Sequence, residues 1–281
     1  MTMDATAIAK LQETAVAEAL NKVETDTPCV IAPNDFKVID LEHLQANRSH
    51  FRGTFDTESI KSLEEYCSQY TKDTEHPYSA ECYASREKMS AEVIFDIGTI
   101  AEPGHCKHKA KIALRKTADF KELLNLNRNR IGQKDLAEFL EDYREQIVAH
   151  KDGEDETMDI RKALASIRNL KITASVDDEH TTEDFSASSS RMASVTATAT
   201  HGNVAGFSFT CTPYHELQEY TFYVRLSLLT GREKPEWIPR IVQLEKREQE
   251  MAEEFQSKIR DAVDGQPVDV FLGEFNPDPM R

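Results

Sequence analysis

Three potential metal ligands lie close together in the first half of the chain, namely His105, Cys106 and His108. Zinc prefers imidazole nitrogens and thiolates, and a tetrahedral site needs three or four such groups. Residues two apart on a strand point to the same side, so Cys106 and His108 could share an ion. A second pair of ligands with a recognised spacing is missing. We therefore favour a turn with packed or surface histidines over a metal site, and we expect no cofactor.

A second group of candidates is basic and shares the outward side of one predicted strand. Its members are Lys107, Lys109, Lys111 and Arg115. On so acidic a chain, such a face is a candidate for contact with a phosphate or with a partner protein. Alternatively, the cations pair with Glu92 and Asp96 on the neighbouring strand, as opposite charges across a hairpin do. We favour this pairing. Because no aromatic residues are interleaved on the face, base stacking is not supported.

Other motifs that carry chemistry are weak or missing. Glu138 and Asp142 lie four residues apart, as do Glu141 and Glu145, but both pairs fall on the polar side of an amphipathic helix. The sequence contains neither the glycine-rich phosphate-binding loops nor the GxSxG motif of hydrolases. We therefore favour a protein that is not an enzyme.

The composition is that of an acidic folded protein. Of 281 residues, 50 are acidic and 34 are basic, which gives a formal net charge of −16. This charge repels a phosphate backbone at long range, so direct nucleic acid binding is not expected, although a local basic patch could still make contact. In the simpler interpretation the charge serves solubility. In the alternative interpretation, the acidic surface imitates DNA or binds a basic partner protein.

Targeting and redox features indicate the cytoplasm. Acidic and polar residues interrupt every apolar window near the N-terminus, unlike in a signal peptide. No apolar run approaches the roughly 20 residues needed to cross a bilayer. The five cysteines are scattered and form no CxxC pair, which is typical of reduced thiols. We expect a cytoplasmic protein without membrane contact.

Helices and strands that position these residues are predicted from apolar spacing. The predicted helices cover residues 4–23, 134–148, 157–168 and 244–263. The predicted strands cover residues 91–97, 107–115, 170–176, 191–200, 207–212 and 219–229. Asp56 or Thr57 is expected to cap a further helix, whose apolar side begins at Ile60.

These elements indicate an α+β fold. We predict a mixed or antiparallel sheet with flanking helices, followed by an antiparallel β-region and a C-terminal helix. The chain divides into an N-terminal helical segment (residues 1–27), an α/β region (28–152) and a β-rich region with the C-terminal helix (153–281). The last two regions could also form one continuous domain.

The C-terminal helix predicts self-association. Its apolar stripe is narrow and flanked by charges of both signs, which suits pairing between helices. The stripe consists of Leu244, Met251, Phe255 and Ile259. Because Pro235 and Pro239 interrupt the chain just before it, the helix could project as an arm. The alternative is that it covers the sheet of its own subunit.

Several short motifs together resemble a known family. In chain order they are DLEHL (40–44), Arg52–Gly53, the histidine turn and strand (105–110), QKDLAEFLED (133–142), FYVRLSLLTG (222–231) and a closing PVDVFLG. In this order they resemble an uncharacterised phage and prophage family that includes the enterobacterial prophage protein YfdQ. The resemblance implies a phage-encoded, non-virion protein in the cytoplasm of a bacterial host, often encoded near recombination or nucleotide-metabolism genes. It implies no catalytic residues. One departure is Phe120, Leu123 and Leu124, where the family pattern has recurring aromatic residues.

Three functions from different classes follow as hypotheses. The first is a non-enzymatic, self-assembling accessory protein that acts on host or phage DNA-handling proteins. The second is an acidic counter-defence protein that mimics DNA and occupies a host nuclease. The third is a metal-dependent enzyme built on the turn from His105 to His108.

Overall fold

The computed structural model describes residues 4–20, 28–32, 37–71, 80–152, 156–172, 197–198, 204–229 and 236–277. The helices in these ranges are α1 (Ala5–Leu20), α2 (Ile60–Tyr70), α3 (Ala118–Leu126), α4 (Gln133–Asp142), α5 (Ile160–Arg168) and α6 (Leu244–Val263). The strands are β1 (Cys29–Ala32), β2 (Lys37–Asp40), β3 (Gly53–Thr57), β4 (Ala80–Ser85), β5 (Ser90–Ile94), β6 (His108–Ala113), β7 (Ile131–Gly132), β8 (Ile147–Asp152), β9 (Glu156–Met158), β10 (Lys171–Ile172), β11 (Ala197–Thr198), β12 (Gly206–Cys211), β13 (Tyr220–Leu229), β14 (Glu236–Ile241) and β15 (Val268–Leu272). No helix in the described ranges combines the length and apolar character needed to span a membrane.

One sheet has five strands in the order β15-β4-β5-β6-β3. The central strands pair antiparallel, whereas the outer strands β15 and β3 run parallel to their neighbours. Strict alternation gives this sheet two different faces. Cys82, Val93 and Ala110 lie side by side in the register and are fully buried on the inner face, against which α2 packs. The intervening residues form the outer face, which carries most of the charged side chains.

The other large sheet has six antiparallel strands in the order β7-β14-β13-β12-β8-β9. Phe207, Phe209 and Phe222 are fully buried at alternating positions of β12 and β13. Phe120 of α3 stacks on Phe222 with a ring-centroid distance of 5.2 Å, so α3 closes this core. Together the mixed and antiparallel sheets and the C-terminal helix confirm the predicted α+β fold.

Each of the two large sheets draws strands from distant parts of the chain. β15, near the C-terminus, pairs with β4, whereas β7 from the first half pairs with β14. The predicted boundary after residue 152 falls between β8 and β9, which are neighbouring strands. Sequence segments and sheets therefore do not coincide.

Several predicted bounds differ from the structure. The helix expected over residues 134–148 ends at Asp142, and Ile147 begins β8 instead, because an apolar residue there satisfies either periodicity. Ser59, rather than Asp56 or Thr57, caps α2, since residues 53–57 form β3. Most of the strand predicted over 191–200, and the second half of the one over 170–176, lie outside the described residues.

Helix α6 has the predicted bounds, but its apolar stripe is not exposed for contact with a second copy of the chain. Met251, Phe255 and Ile259 are at most 2% exposed within a single chain, and Leu244 packs partly buried against the same core. The helix packs against α2. Pro239 lies within β14 opposite Leu226, so the chain before the helix is part of a sheet and not a free arm. The expectation that these four residues form an oligomer seam is therefore corrected. Self-association stays a prediction without this surface.

Candidate anion-binding groove

A basic groove of about 500 Å³ lies at one end of the outer face of the five-stranded sheet. It is lined by Arg48, Arg52, Gly53, Thr54, Cys106, Lys107, Lys109 and Lys111. Three of the four cations predicted from the sequence therefore meet there. The structure adds two arginines from a loop more than fifty residues earlier in the chain.

The parallel pairing of β3 and β6 brings the two arginines and the lysines together. Gly53 lies opposite His108, and the Gly53 amide donates to the Lys107 carbonyl at 2.9 Å. Arg52 and Lys107 therefore occupy equivalent positions, one residue before the paired ones. Sequence reasoning missed Arg52 as a site residue because it assigned residues 53–57 to the approach to a helix. The alternation of Phe55 with the polar Thr54 and Asp56 was the available signal for a strand.

Glu92 partly neutralises the lysines. Its Oε1 atom lies 2.9 Å from Lys109 Nζ and 3.5 Å from Lys111 Nζ, which confirms the expected cross-strand pairing with this residue. Asp96 has a different role. Its two carboxylate oxygens accept hydrogen bonds from the backbone amides of Lys107 and His108, each at 2.9 Å, so it holds the start of β6 instead of pairing with a lysine side chain.

The Arg52 side chain is held in place by Glu42. Glu42 is buried and forms a two-point ion pair with the Arg52 guanidinium, and it accepts a hydrogen bond from the Ser49 amide at 2.9 Å. The Ser49 hydrogen bond, followed by Arg52, lowers the pKa of the Glu42 carboxyl. This carboxylate thus anchors the loop that supplies both arginines. The ion pair holds the guanidinium in one position and partly neutralises its charge.

Two cations of the groove form no ion pair with any of the described residues. Among the described residues, neither Lys107 nor Arg48 has a carboxylate within ion-pair distance, and both side chains are exposed. The Arg48 guanidinium makes a long contact of 3.5 Å to the Arg52 carbonyl. Within the described part of the chain, five cations thus face two paired carboxylates, Glu42 and Glu92.

Two histidines lie near the cations of the groove. The rings of His50 and His105 stack with centroids 4.5 Å apart and planes inclined by 12°. Each lies three residues before the Gly53–His108 pair, so the parallel register also explains this stack. Burial, then His105, Arg52 and Lys107, lower the pKa of His50.

The three potential metal ligands are separated by the fold. His105 stacks on His50, Cys106 lines the basic groove, and His108 is buried on the inner side, where its Nε2 atom lies 3.1 Å from the Tyr66 hydroxyl. Burial lowers the pKa of His108. In the described residues no three histidine, cysteine or acidic side chains are arranged to hold a metal ion. The metal hypothesis therefore stays a prediction without support from this geometry.

Arg115, the fourth predicted cation, lies in a neighbouring wide groove of about 1090 Å³ that shares Lys111 with the basic groove. Its Nε atom lies 2.7 Å from Glu58 Oε1. At the far end of the wide groove, Phe275 stacks on Tyr83 with centroids 5.0 Å apart. The predicted basic face is thus divided between two grooves.

Comparison with known proteins places this arrangement in a family. A family model described as an uncharacterized conserved protein (DUF2303) matches residues 2–275. The chain belongs to the DUF2303 family. No curated protein and no solved structure matches the chain. The DUF2303 match covers every residue of the basic groove, and the family's description assigns no activity to any of them.

Proposed function

We propose that this DUF2303 protein is a non-enzymatic binding protein whose basic groove receives a short acidic segment of a partner protein. The observation that carries the proposal is the convergence of five cations, two of them without an ion pair in the described residues, on a chain of net charge −16. The clustered cations repel one another at short range. A counter-charged ligand offsets that repulsion.

The spacing of the groove suits an extended acidic peptide. Lys107 and Lys109 are two residues apart, and alternate residues of a strand are about 6.6 Å apart. Carboxylates at alternate positions of an extended peptide have the same spacing. Thr54, exposed beside Lys109 in the register, adds a hydroxyl donor.

A short segment fits better than a long polyanion such as nucleic acid. Screening limits the attraction to about 8 Å at physiological ionic strength, so the groove acts only on charges close to it. A nucleic acid strand would extend beyond the groove across an acidic surface. In addition, none of the described residues that line the basic groove is aromatic, so bases would have no ring to stack on.

The cellular setting comes from the resemblance described above. A phage-encoded accessory protein in the bacterial cytoplasm, encoded near recombination genes, would act on a host or phage DNA-handling protein. We propose a partner of this class. Self-assembly belongs to the same proposal, through a surface other than the apolar stripe of α6.

A binding experiment with a defined probe tests the proposal. A fluorescein-labelled hexaglutamate peptide is titrated with the protein at low salt, and the anisotropy is measured. Arg48→Ala with Lys107→Ala should weaken binding about tenfold or more, because exposed cations contribute about 1 kcal/mol each in such contacts. The matched control is Lys121→Ala with Arg144→Ala, which removes two exposed cations elsewhere. Equal loss in both double variants would contradict the proposal. Tighter binding of single-stranded oligonucleotide than of peptide would replace the acidic segment by nucleic acid.

A second candidate function rests on the opposite charge. A groove of about 470 Å³ between α6 and β13 is lined by four glutamates and one arginine. The glutamates are Glu219, Glu250, Glu253 and Glu254. This groove suits a basic segment, as an acidic counter-defence protein would require. Binding of a labelled hexalysine peptide that is lost in Glu253→Lys would favour it, and unchanged binding in that variant would contradict it.

A further inference from the structure

The stacked pair His50–His105 lies next to the two cationic segments of the basic groove. Each histidine is followed two residues later by a groove cation, Arg52 in one segment and Lys107 in the other. The rings lie face to face, 4.5 Å apart, and both residues are partly buried. Arg52 and Lys107 are close enough to His50 to influence its protonation electrostatically.

The charges that face His50 come from two segments. Arg52 and Glu42 belong to its own loop, whereas His105 and Lys107 precede β6. The Nε2 atom of His50 is buried and has no hydrogen-bond partner in the described part of the chain. Burial and the neighbouring cations lower the pKa of His50. The ring is thus neutral near pH 7 when no anion is bound.

We propose that binding of an acidic ligand in the basic groove is coupled to protonation of His50, so that the ligand is held more tightly in mildly acidic solution. This inference rests on the proposed function. Burial lowers the pKa of His50 most, and the nearby positive charges lower it further. A ligand carboxylate beside Arg52 and Lys107 offsets these charges, and the imidazolium then adds a further cation.

The direction of the effect follows from linkage. The ligand favours the protonated ring, so the pKa of His50 is higher in the complex than in the free protein. Affinity therefore rises as the pH falls through the pKa of the complex, and it levels off below the pKa of the free protein. Since the free value lies below the ordinary histidine value of about 6.5, the affinity is still rising as the pH falls below 6.5.

The labelled hexaglutamate peptide tests this coupling, because its side chains stay ionised above about pH 6. Anisotropy titrations are made at pH 8.0 and pH 6.0, with EDTA present so that no metal contributes. We expect about fivefold tighter binding at the lower pH in the wild type, from partial uptake of one proton. In His50→Gln the ratio should fall to about one. The exposed His43 provides the matched control, and His43→Gln should keep the fivefold ratio.

A second measurement does not depend on a variant. The pKa of His50 in the wild type, followed by NMR of its ring protons, should rise when the peptide is added. Binding with no difference between the two pH values, or an unchanged His50 pKa in the complex, overturns the coupling alone. Absence of peptide binding at both pH values overturns the proposed function, and the coupling with it.

Discussion

The carboxylate of Glu42 is buried against the guanidinium of Arg52, and this ion pair joins the loop before β3 to the basic groove. Glu42 lies ten residues before Arg52 in the chain and also accepts a hydrogen bond from the Ser49 amide. The groove therefore depends on a residue that does not line it.

Removing the Glu42 charge should lower stability in a pH-dependent way. Because the pKa of Glu42 is lowered in the folded protein, its stabilising contribution is present above the unfolded value of 4.5 and is lost as the pH falls through the folded value. Thermal unfolding of Glu42→Gln should therefore show a lower midpoint than the wild type at pH 7. The difference should shrink below about pH 4.5. Glu122→Gln, at an exposed position, is the control and should show no such difference. A difference that persists at acidic pH would contradict the assignment.

Lys107 and Lys109 should behave differently when replaced by alanine. Lys107 is exposed and has no ion pair in the described residues, so Lys107→Ala should change the free energy of unfolding by less than about 0.5 kcal/mol while weakening peptide binding. Lys109 is paired with Glu92 and only 17% exposed, so Lys109→Ala should cost about 1 kcal/mol as well as weaken binding. Urea unfolding and anisotropy measure the two effects. Equal stability of the two variants would show that the Glu92 pair contributes nothing.

In α4 and the neighbouring β8, the loss of folding free energy on replacement by alanine should depend on how deeply a side chain is buried and not on its size. Leu140 is fully buried, so Leu140→Ala should cost about 2–5 kcal/mol. Phe139 is only partly buried, although its ring lies 5.9 Å from that of Phe209. Phe139→Ala should therefore cost less than the full burial of a phenylalanine would imply. The Val148 side chain is half exposed, so Val148→Ala should lower the free energy of unfolding by less than about 0.5 kcal/mol. Urea unfolding that ranks Phe139→Ala above Leu140→Ala would be inconsistent with this packing.

Phe255→Ala should destabilise the single chain. The side chain is 1% exposed within α6, so its loss should cost about 3–5 kcal/mol. Light scattering at two protein concentrations should give the same mass for variant and wild type, because the residue is already covered by its own chain. A folded variant whose mass falls below that of the wild type would restore the oligomer seam that the packing contradicts.

The cysteines should differ in reactivity. Burial raises the pKa of Cys67, Cys82 and Cys211 to about 12, so these thiols carry almost no thiolate near neutral pH. Burial also raises the pKa of Cys106, but this residue is partly exposed in the basic groove. Iodoacetamide at pH 8 followed by mass spectrometry should therefore modify Cys106 and leave the three buried thiols intact. All four should react in urea. Rapid modification of Cys67 in the folded protein would indicate that α2 opens.

Local periodicity was sufficient for much of the fold and for part of the site. Alternation in β5 and β6 placed Val93 and Ala110 inward and Lys109 beside Glu92, and the apolar stripe placed the bounds of α6. These features repeat every two residues in a strand or every 3.6 residues in a helix, so a short window of sequence contains them. The α+β class follows from the same patterns.

Which distant segments meet depends on the packing of the whole chain. The pairing of β3 with β6 adds Arg48, Arg52 and His50 to Lys107, and it depends on residues 53–57 forming an edge strand, which the pattern before α2 did not indicate. The position of α6 was likewise open, because a narrow apolar stripe suits a partner chain or the same chain equally well. Periodicity fixes which face of an element is apolar, whereas the packing of the whole chain selects what covers that face.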